Sequence, residues 1–131
     1  MAELSTADRL EIEQLYSKYN HAIDFGDGTA WADTFTADGT FDSGRGDPTV
    51  GTEALATFGN EFATQIKARH WINNLVVEPS ASGADGKCYL ILFNLAAEGG
   101  PAPMVTAVYH DALTKGTDGW RFSSRKVVGD G

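Results

Sequence analysis

Residues 67–78 read KARHWINNLVVE, and within this stretch the periodicity of the chain changes. Upstream of it, Leu55, Phe58, Phe62 and Ile66 recur three or four residues apart, the spacing of one face of a helix. From Arg69 onward the pattern is that of extended chain. RHWINNLVVE (69–78), KCYLILFNLA (87–96), MVTAVYHDAL (104–113) and WRFSSRKVV (120–128) are four apolar-rich runs. Turn-forming stretches separate them: PSASGADG (79–86), EGGPAP (98–103) and TKGTDG (114–119). Helices followed by consecutive strands, with no alternation of the two, predict an α+β domain with an antiparallel sheet.

The N-terminal part is helical by the same criterion. Ile12, Leu15, Tyr16, Tyr19 and Ile23 form one apolar stripe, Ser5 and Asp8 suit an N-cap and its third residue, and Gly26 and Gly28 supply the stop. A short second helix over 29–35 pairs Trp31 with Phe35, and an Asp38–Gly39 turn leads into a brief strand, Thr40–Asp42. SGRGDPTVG (43–51) has three glycines and a proline and reads as a loop, after which Thr52 can cap a third helix. The run over 87–96 is apolar on both faces, Cys88, Leu90 and Leu92 alternating with Tyr89, Ile91 and Phe93. Helices can cover only one face, so a second subunit is expected to cover the other, giving a homodimer through the sheet.

Composition narrows the partners. The 131 residues fit a single domain, 1–131, of ordinary soluble character, with 42% hydrophobic and 21% charged residues. A net charge of −8 with scattered basic residues argues against nucleic acid. The longest apolar run is too short to span a bilayer, so no membrane partner is expected. The N-terminal stretch lacks the order of a signal peptide, and a lone cysteine, Cys88, allows no internal disulfide; a cytoplasmic setting is the expectation.

His70 interrupts an otherwise apolar strand. Alternation places it on one face with Ile72, Asn74 and Val76. Taken alone, it reads either as a general base in a pocket or as a core histidine bonded to a carbonyl. Asp24 ends the first helix, where the dipole disfavours a carboxylate unless it has a partner, and a histidine would be one. The helical wheel puts Asp24 at the rim of the apolar face, so it could equally face solvent. Tyr19 could add a phenol to the same pocket. Trp31, Phe35, Phe58, Phe62 and Trp71 suit a core or a pocket wall, and Asn74 could bond a substrate oxygen or merely satisfy backbone. His21 lies on the solvent side of its helix. No HxxxH or HxH spacing occurs, so no metal is expected, and the loop over 43–51 lacks a phosphate-binding motif.

Three stretches, LYSKYNHAIDFGD (15–27), RHWINN (69–74) and VTAVYHDALTKGTDGWRFSSRKVV (105–128), resemble in order and spacing the SnoaL-like branch of the nuclear-transport-factor-2-like superfamily. Within that branch the chain is similar to scytalone dehydratase, bile-acid 7α-dehydratase and hexachlorocyclohexane dehydrochlorinase. The resemblance implies a cone: a curved sheet wrapped over helices, with a hydrophobic pocket holding an Asp–His dyad that needs neither cofactor nor metal. It carries the dyad onto Asp24 and His70, and Tyr19 onto a tyrosine position of bile-acid dehydratases. Arg125 matches a late-strand basic residue of some members and is expected on that resemblance to contact the substrate. Thr106 falls near a position that holds a second pocket histidine in scytalone dehydratase, and Val108 follows on the same strand; both are expected to face the substrate. Ile23 departs from a tyrosine of scytalone dehydratase, which sets scytalone itself aside. The function implied is a lyase, a dehydratase or other β-eliminating enzyme acting on a hydrophobic small molecule. An isomerase or cyclase of a polyketide- or steroid-like ketone, or a non-catalytic binding module, are the alternatives.

Overall fold

The computed structural model describes residues 3–131. Ser5 and Asp8 form a capping box: the Ser5 hydroxyl accepts from the Asp8 N–H at 3.0 Å, and the Asp8 carboxylate accepts from the Ser5 N–H at 3.2 Å. The helix they start, α1 (Thr6–Asp24), buries Ile12, Leu15, Tyr16, Tyr19 and Ile23, the stripe its spacing predicts. Gly26, at φ +75°, ends it in a conformation that favours glycine. Asp27 then caps α2 (Gly28–Ala32), accepting from the Ala30 N–H. In α3 (Thr52–Gln65), Gly59 faces Gly28, and a Cβ at Gly59 would stand 2.8 Å from the Gly28 Cα. The missing side chains let α2 and α3 meet closely enough for Trp31 to stack on Phe58, with ring centres 5.3 Å apart.

The strands are β1 (Phe35–Asp42), β2 (Thr49–Val50), β3 (Ala68–Ser80), β4 (Gly83–Asn94), β5 (Ala102–Gly116) and β6 (Gly119–Gly129). They form a six-stranded sheet in the order β2-β1-β6-β5-β4-β3. The four long strands make an antiparallel meander, but β1 runs parallel to β6, so the sheet is mixed, not wholly antiparallel. The cause lies at the end of α2. The chain leaves it at Thr34, whose carbonyl accepts from the Phe122 N–H at 2.8 Å, and so enters the sheet already alongside β6. Asp38 and Gly39 are therefore not a turn before a short strand. They sit inside β1, in an irregularity between Phe35 and Thr40.

The turns are also tighter than composition suggests, because the strands continue into the glycine-rich stretches. Ala81–Ser82 and Thr117–Asp118 alone close the β3–β4 and β5–β6 hairpins. The helices cover the inner face, where Cys88, Leu90, Leu92, Ala107, Tyr109 and Leu113 are buried. The outer face keeps Trp71 62% and Tyr89 51% exposed, with Ile91, Phe93 and Val108 on the same face.

Asp8 does more than cap α1. Its carboxylate also accepts from the Trp120 indole N–H at 3.0 Å and from Lys115 at 2.9 Å, tying the helix start to the β5–β6 hairpin. The Trp120 bond, then Lys115 and the Ser5 N–H, hold this carboxyl well below the usual range. A depressed folded-state value means the stabilisation is complete above the unfolded value, about 3.9, and is lost as the pH falls through the folded one. Asp8→Ala is expected to melt below the wild type at pH 7, the gap narrowing progressively below about pH 4. Melting curves across pH check this, and a gap that persists unchanged in acid would contradict it.

Candidate functional site

The site forms where the end of α1 meets the free edge of the sheet. β3 is an edge strand, paired only with β4, and His70 lies opposite Leu92 with its ring turned to the helix layer. Its backbone N–H points away from β4 and donates to Asp24 Oδ2 at 3.1 Å. Its ring Nδ1 lies 2.5 Å from Asp24 Oδ1. One carboxylate thus holds both the backbone and the imidazole of a single residue. The two side chains are only 7% and 6% exposed. An ionised carboxylate can only accept, so the short contact assigns the proton to Nδ1 and leaves the Nε2 lone pair free. Among the described residues no protein group hydrogen-bonds Nε2.

His70 borders a cavity of about 570 Å³. Tyr19 and Ile23 of α1, Trp31 of α2 and Phe58 and Phe62 of α3 form one side. Phe41, Leu90, Leu92, Val105, Tyr109 and Val127 from the sheet form the other. Ser43, Arg45, Glu61, Gln65 and Met104 make a more polar rim, with Arg45 on the glycine-rich loop before β2. The volume suits an organic molecule of drug size, and the walls favour an apolar one. Burial pushes the Tyr19 and Tyr109 hydroxyls up from the ordinary phenol value, so both remain neutral donors at physiological pH. Burial likewise pushes Cys88 up to about 12, which leaves it an inert thiol.

Of the residues picked out from sequence, Asp24, His70, Tyr19, Trp31 and Phe58 are brought together here, and four others are not. Asn74 is exposed. Between the Asn73–Tyr89 and Val76–Lys87 pairs, two residues of β3, Asn74 and Leu75, oppose the single Cys88 of β4, and Asn74 takes the bulge at φ +56°. The extra residue reverses the alternation, so Leu75 and Val77 pack inward and Val76 faces out. Thr106 and Val108 point to the outer face, because Ala107 and Tyr109 are the inward residues of β5.

Arg125 is the opposite case, buried too deeply to line the cavity. A bulge at Ser123, between the Leu113–Phe122 and Ala112–Ser124 pairs, turns it inward. Its Nε and Nη2 each donate to Asp111 at 2.7 Å, and the Tyr16 hydroxyl donates to Asp111 as well. Burial alone would pull the guanidinium down, but the Asp111 carboxylate outweighs it and keeps the charge. Phe62, a core or wall candidate from its sequence, does line the cavity, whereas Phe41, Leu90, Leu92, Val105 and Tyr109 are wall residues that sequence reading missed. Inward parity on β4 was readable for Leu90 and Leu92, but an apolar wall residue looks the same as a core residue until the cavity is seen.

His21 and His110 are exposed, and no group of three or more His, Cys, Asp or Glu side chains is placed to hold a metal among the described residues. No helix among them is long and apolar enough to cross a membrane.

Comparison with known proteins agrees with this architecture. The model of a family described as a SnoaL-like domain matches residues 5–126. No curated protein matches the chain. Among solved structures, it is similar to a variant of Rv3472 of Mycobacterium tuberculosis, of unknown function, at 27% identity over 96% of this chain and 78% of that one, with a TM-score of 0.89. A Catenulispora acidiphila protein solved in complex with S-DNPA is 29% identical over 96% of both chains, with a TM-score of 0.85. A protein of Novosphingobium aromaticivorans, described as NTF2-like with a cystatin-like fold, shares the fold at 21% identity, covering 95% and 84% of the chains with a TM-score of 0.85.

Proposed function

The chain belongs to the SnoaL-like family of the nuclear-transport-factor-2-like superfamily, and from that footing we propose that it is a cofactor-independent lyase acting on a hydrophobic small molecule. The observation that carries the reading is the 2.5 Å contact between Asp24 Oδ1 and His70 Nδ1 beside an apolar cavity. His70 Nε2 removes a proton from a carbon of the bound molecule. The electron pair forms a carbon–carbon double bond, and the β-hydroxyl leaves as water with a proton from the imidazolium. Asp24 orients the ring and offsets its positive charge, while Tyr19 donates a hydrogen bond to a carbonyl or leaving oxygen. The S-DNPA complex of the Catenulispora protein supports a bound organic molecule in this fold.

A screen of small ketones and β-hydroxy ketones in D₂O tests this, with NMR reading deuterium uptake and product. Uptake with loss of water is the expected result. Uptake with a shifted double bond or a new ring would make the protein an isomerase or cyclase using the same base. Turnover that His70→Ala leaves untouched would remove the base from its role, and binding without exchange would make the site a receptor.

The outer sheet face supports a homodimer as part of the same reading. Trp71 stands against Phe93, with ring centres 4.7 Å apart, and Tyr89, Ile91 and Val108 continue the apolar surface. Light scattering at micromolar concentration is expected to give a dimer, and Ile91→Lys to shift it to monomer. A monodisperse wild-type monomer would rule the dimer out.

A further inference from the structure

Arg45 stands on the loop between β1 and β2, at the rim of the cavity. Local hydrogen bonds hold the backbone of this loop. The Asp42 carboxylate accepts from the Gly44 N–H at 2.9 Å, and the Ser43 hydroxyl accepts from the Arg45 N–H at 3.2 Å. The Arg45 guanidinium, by contrast, makes no hydrogen bond or ion pair among the described residues. Every other arginine of the chain does. Arg9 donates to the Val77 carbonyl and Arg69 to that of Ala68, both at 3.0 Å. Arg121 donates to the Asp118 and Trp120 carbonyls, and Arg125 to Asp111. Of the side chains that line the cavity, Arg45 alone carries a permanent positive charge. Glu61 shares the rim, but no ion pair joins the two.

A guanidinium is a planar fork of donors that matches a carboxylate. The walls below the rim are apolar, so a ligand that fills the cavity buries an apolar body. A charged group on that body is costly inside and is tolerated at the mouth, where water still reaches it. The chain's net charge of −8 opposes an anion at a distance, but over more than about 8–10 Å salt screens that field. An anion is therefore held here by contact and not steered from afar. We propose that Arg45 determines specificity by binding a carboxylate of the ligand, which makes the substrate class an amphiphilic organic acid. Its apolar body lies against Phe58 and Phe62, and its carboxylate stays at the mouth. Calling this ligand a substrate rests on the proton-transfer reading above; the binding site does not. Glu61, of like charge to the carboxylate, limits the affinity.

Two pairs of probes test the site without turnover: 2-naphthylacetate and 4-(2-naphthyl)butanoate, each beside its amide. Acid and amide match in shape and differ in charge, and the two chain lengths vary the reach from a buried ring to the rim. Calorimetry at low salt is expected to show one acid or both binding about three- to fivefold tighter than the amide. Added salt should narrow that ratio. Arg45→Gln should bring it to about one and, because the side chain has no protein partner, leave the melting temperature unchanged. Arg45→Lys should keep part of the preference, and Glu61→Gln should widen it. Lys18→Gln removes one positive charge on the exposed face of α1 and should change nothing.

Equal binding of acid and amide at both lengths, a preference that survives Arg45→Gln, or absence of acid binding would each overturn the site. His70→Ala should leave the preference in place. Its loss in that variant would put the carboxylate on the imidazole and would also overturn the assignment to Arg45. Deuterium uptake is read in a separate experiment, so failure of the base and failure of the rim site are distinguishable.

Discussion

His70→Ala is expected to lower turnover of an identified substrate by about 10²–10⁴-fold, the usual contribution of a positioned general base. The fold should survive, because the ring packs at a cavity edge, 5.7 Å from the centre of Phe62, and not in the continuous core. Asp24→Asn should cost nearly as much while changing no volume. An asparagine can turn its amide donor toward Nδ1, which moves the ring proton to Nε2 and presents the substrate with an N–H in place of a lone pair. Asp24→Ala should cost activity and also roughly 1–3 kcal/mol of stability, because the His70 backbone N–H loses its acceptor at 3.1 Å. Turnover numbers and urea unfolding curves for the three variants separate these effects. If Asp24→Asn retains wild-type turnover, the carboxylate does not set the tautomer.

The largest expected effect on stability lies at Asp111. Its side chain and that of Arg125 have no solvent exposure, and the two nitrogen–oxygen contacts of 2.7 Å make a bidentate pair. Asp111→Ala would strand a guanidinium among the rings of Tyr16, Tyr19, Tyr109 and Phe122. Cation–π contact offsets only part of that, so the loss should be about 3–5 kcal/mol. Against a domain total of about 5–15 kcal/mol, this brings the protein near unfolding at physiological temperature. A fall in melting temperature of roughly 10–20 °C is expected. The double replacement Asp111→Leu with Arg125→Met removes both charges and should recover most of that loss. Calorimetry on the three proteins decides the matter, and a single-variant cost below about 1 kcal/mol would show the pair to be dispensable.

The position of this pair explains a misreading of the sequence. Family resemblance sets the late-strand arginine at 125 against the substrate, and strict alternation from Trp120 and Phe122 would put it on the outer face. The bulge at Ser123 does neither, placing it under the cavity wall. Asn74 is the mirror case: alternation puts it beside His70, and its own bulge sends it to solvent. Thr106 and Val108 fail for a related reason. Parity along β5 is set by burial of Tyr109 and of Asp111 against Arg125, a relation between strands that no single strand displays.

By itself the sequence determined whatever rests on near neighbours. The order of helices before strands, the buried stripe and capping box of α1, and the two-faced apolar alternation of β4 all follow from periods of two or about 3.6 residues and from local hydrogen bonds. Only the tertiary structure decided the parallel entry of β1 beside β6, the two bulges that exchange Asn74 and Arg125 between faces, and the shape of the cavity. It also decided that Asp24 reaches His70 across 46 residues of chain. A helical wheel places a rim residue only by angle. Whether that rim meets solvent or the open edge of a strand depends on how the helix is laid across the sheet, and long-range packing fixes that.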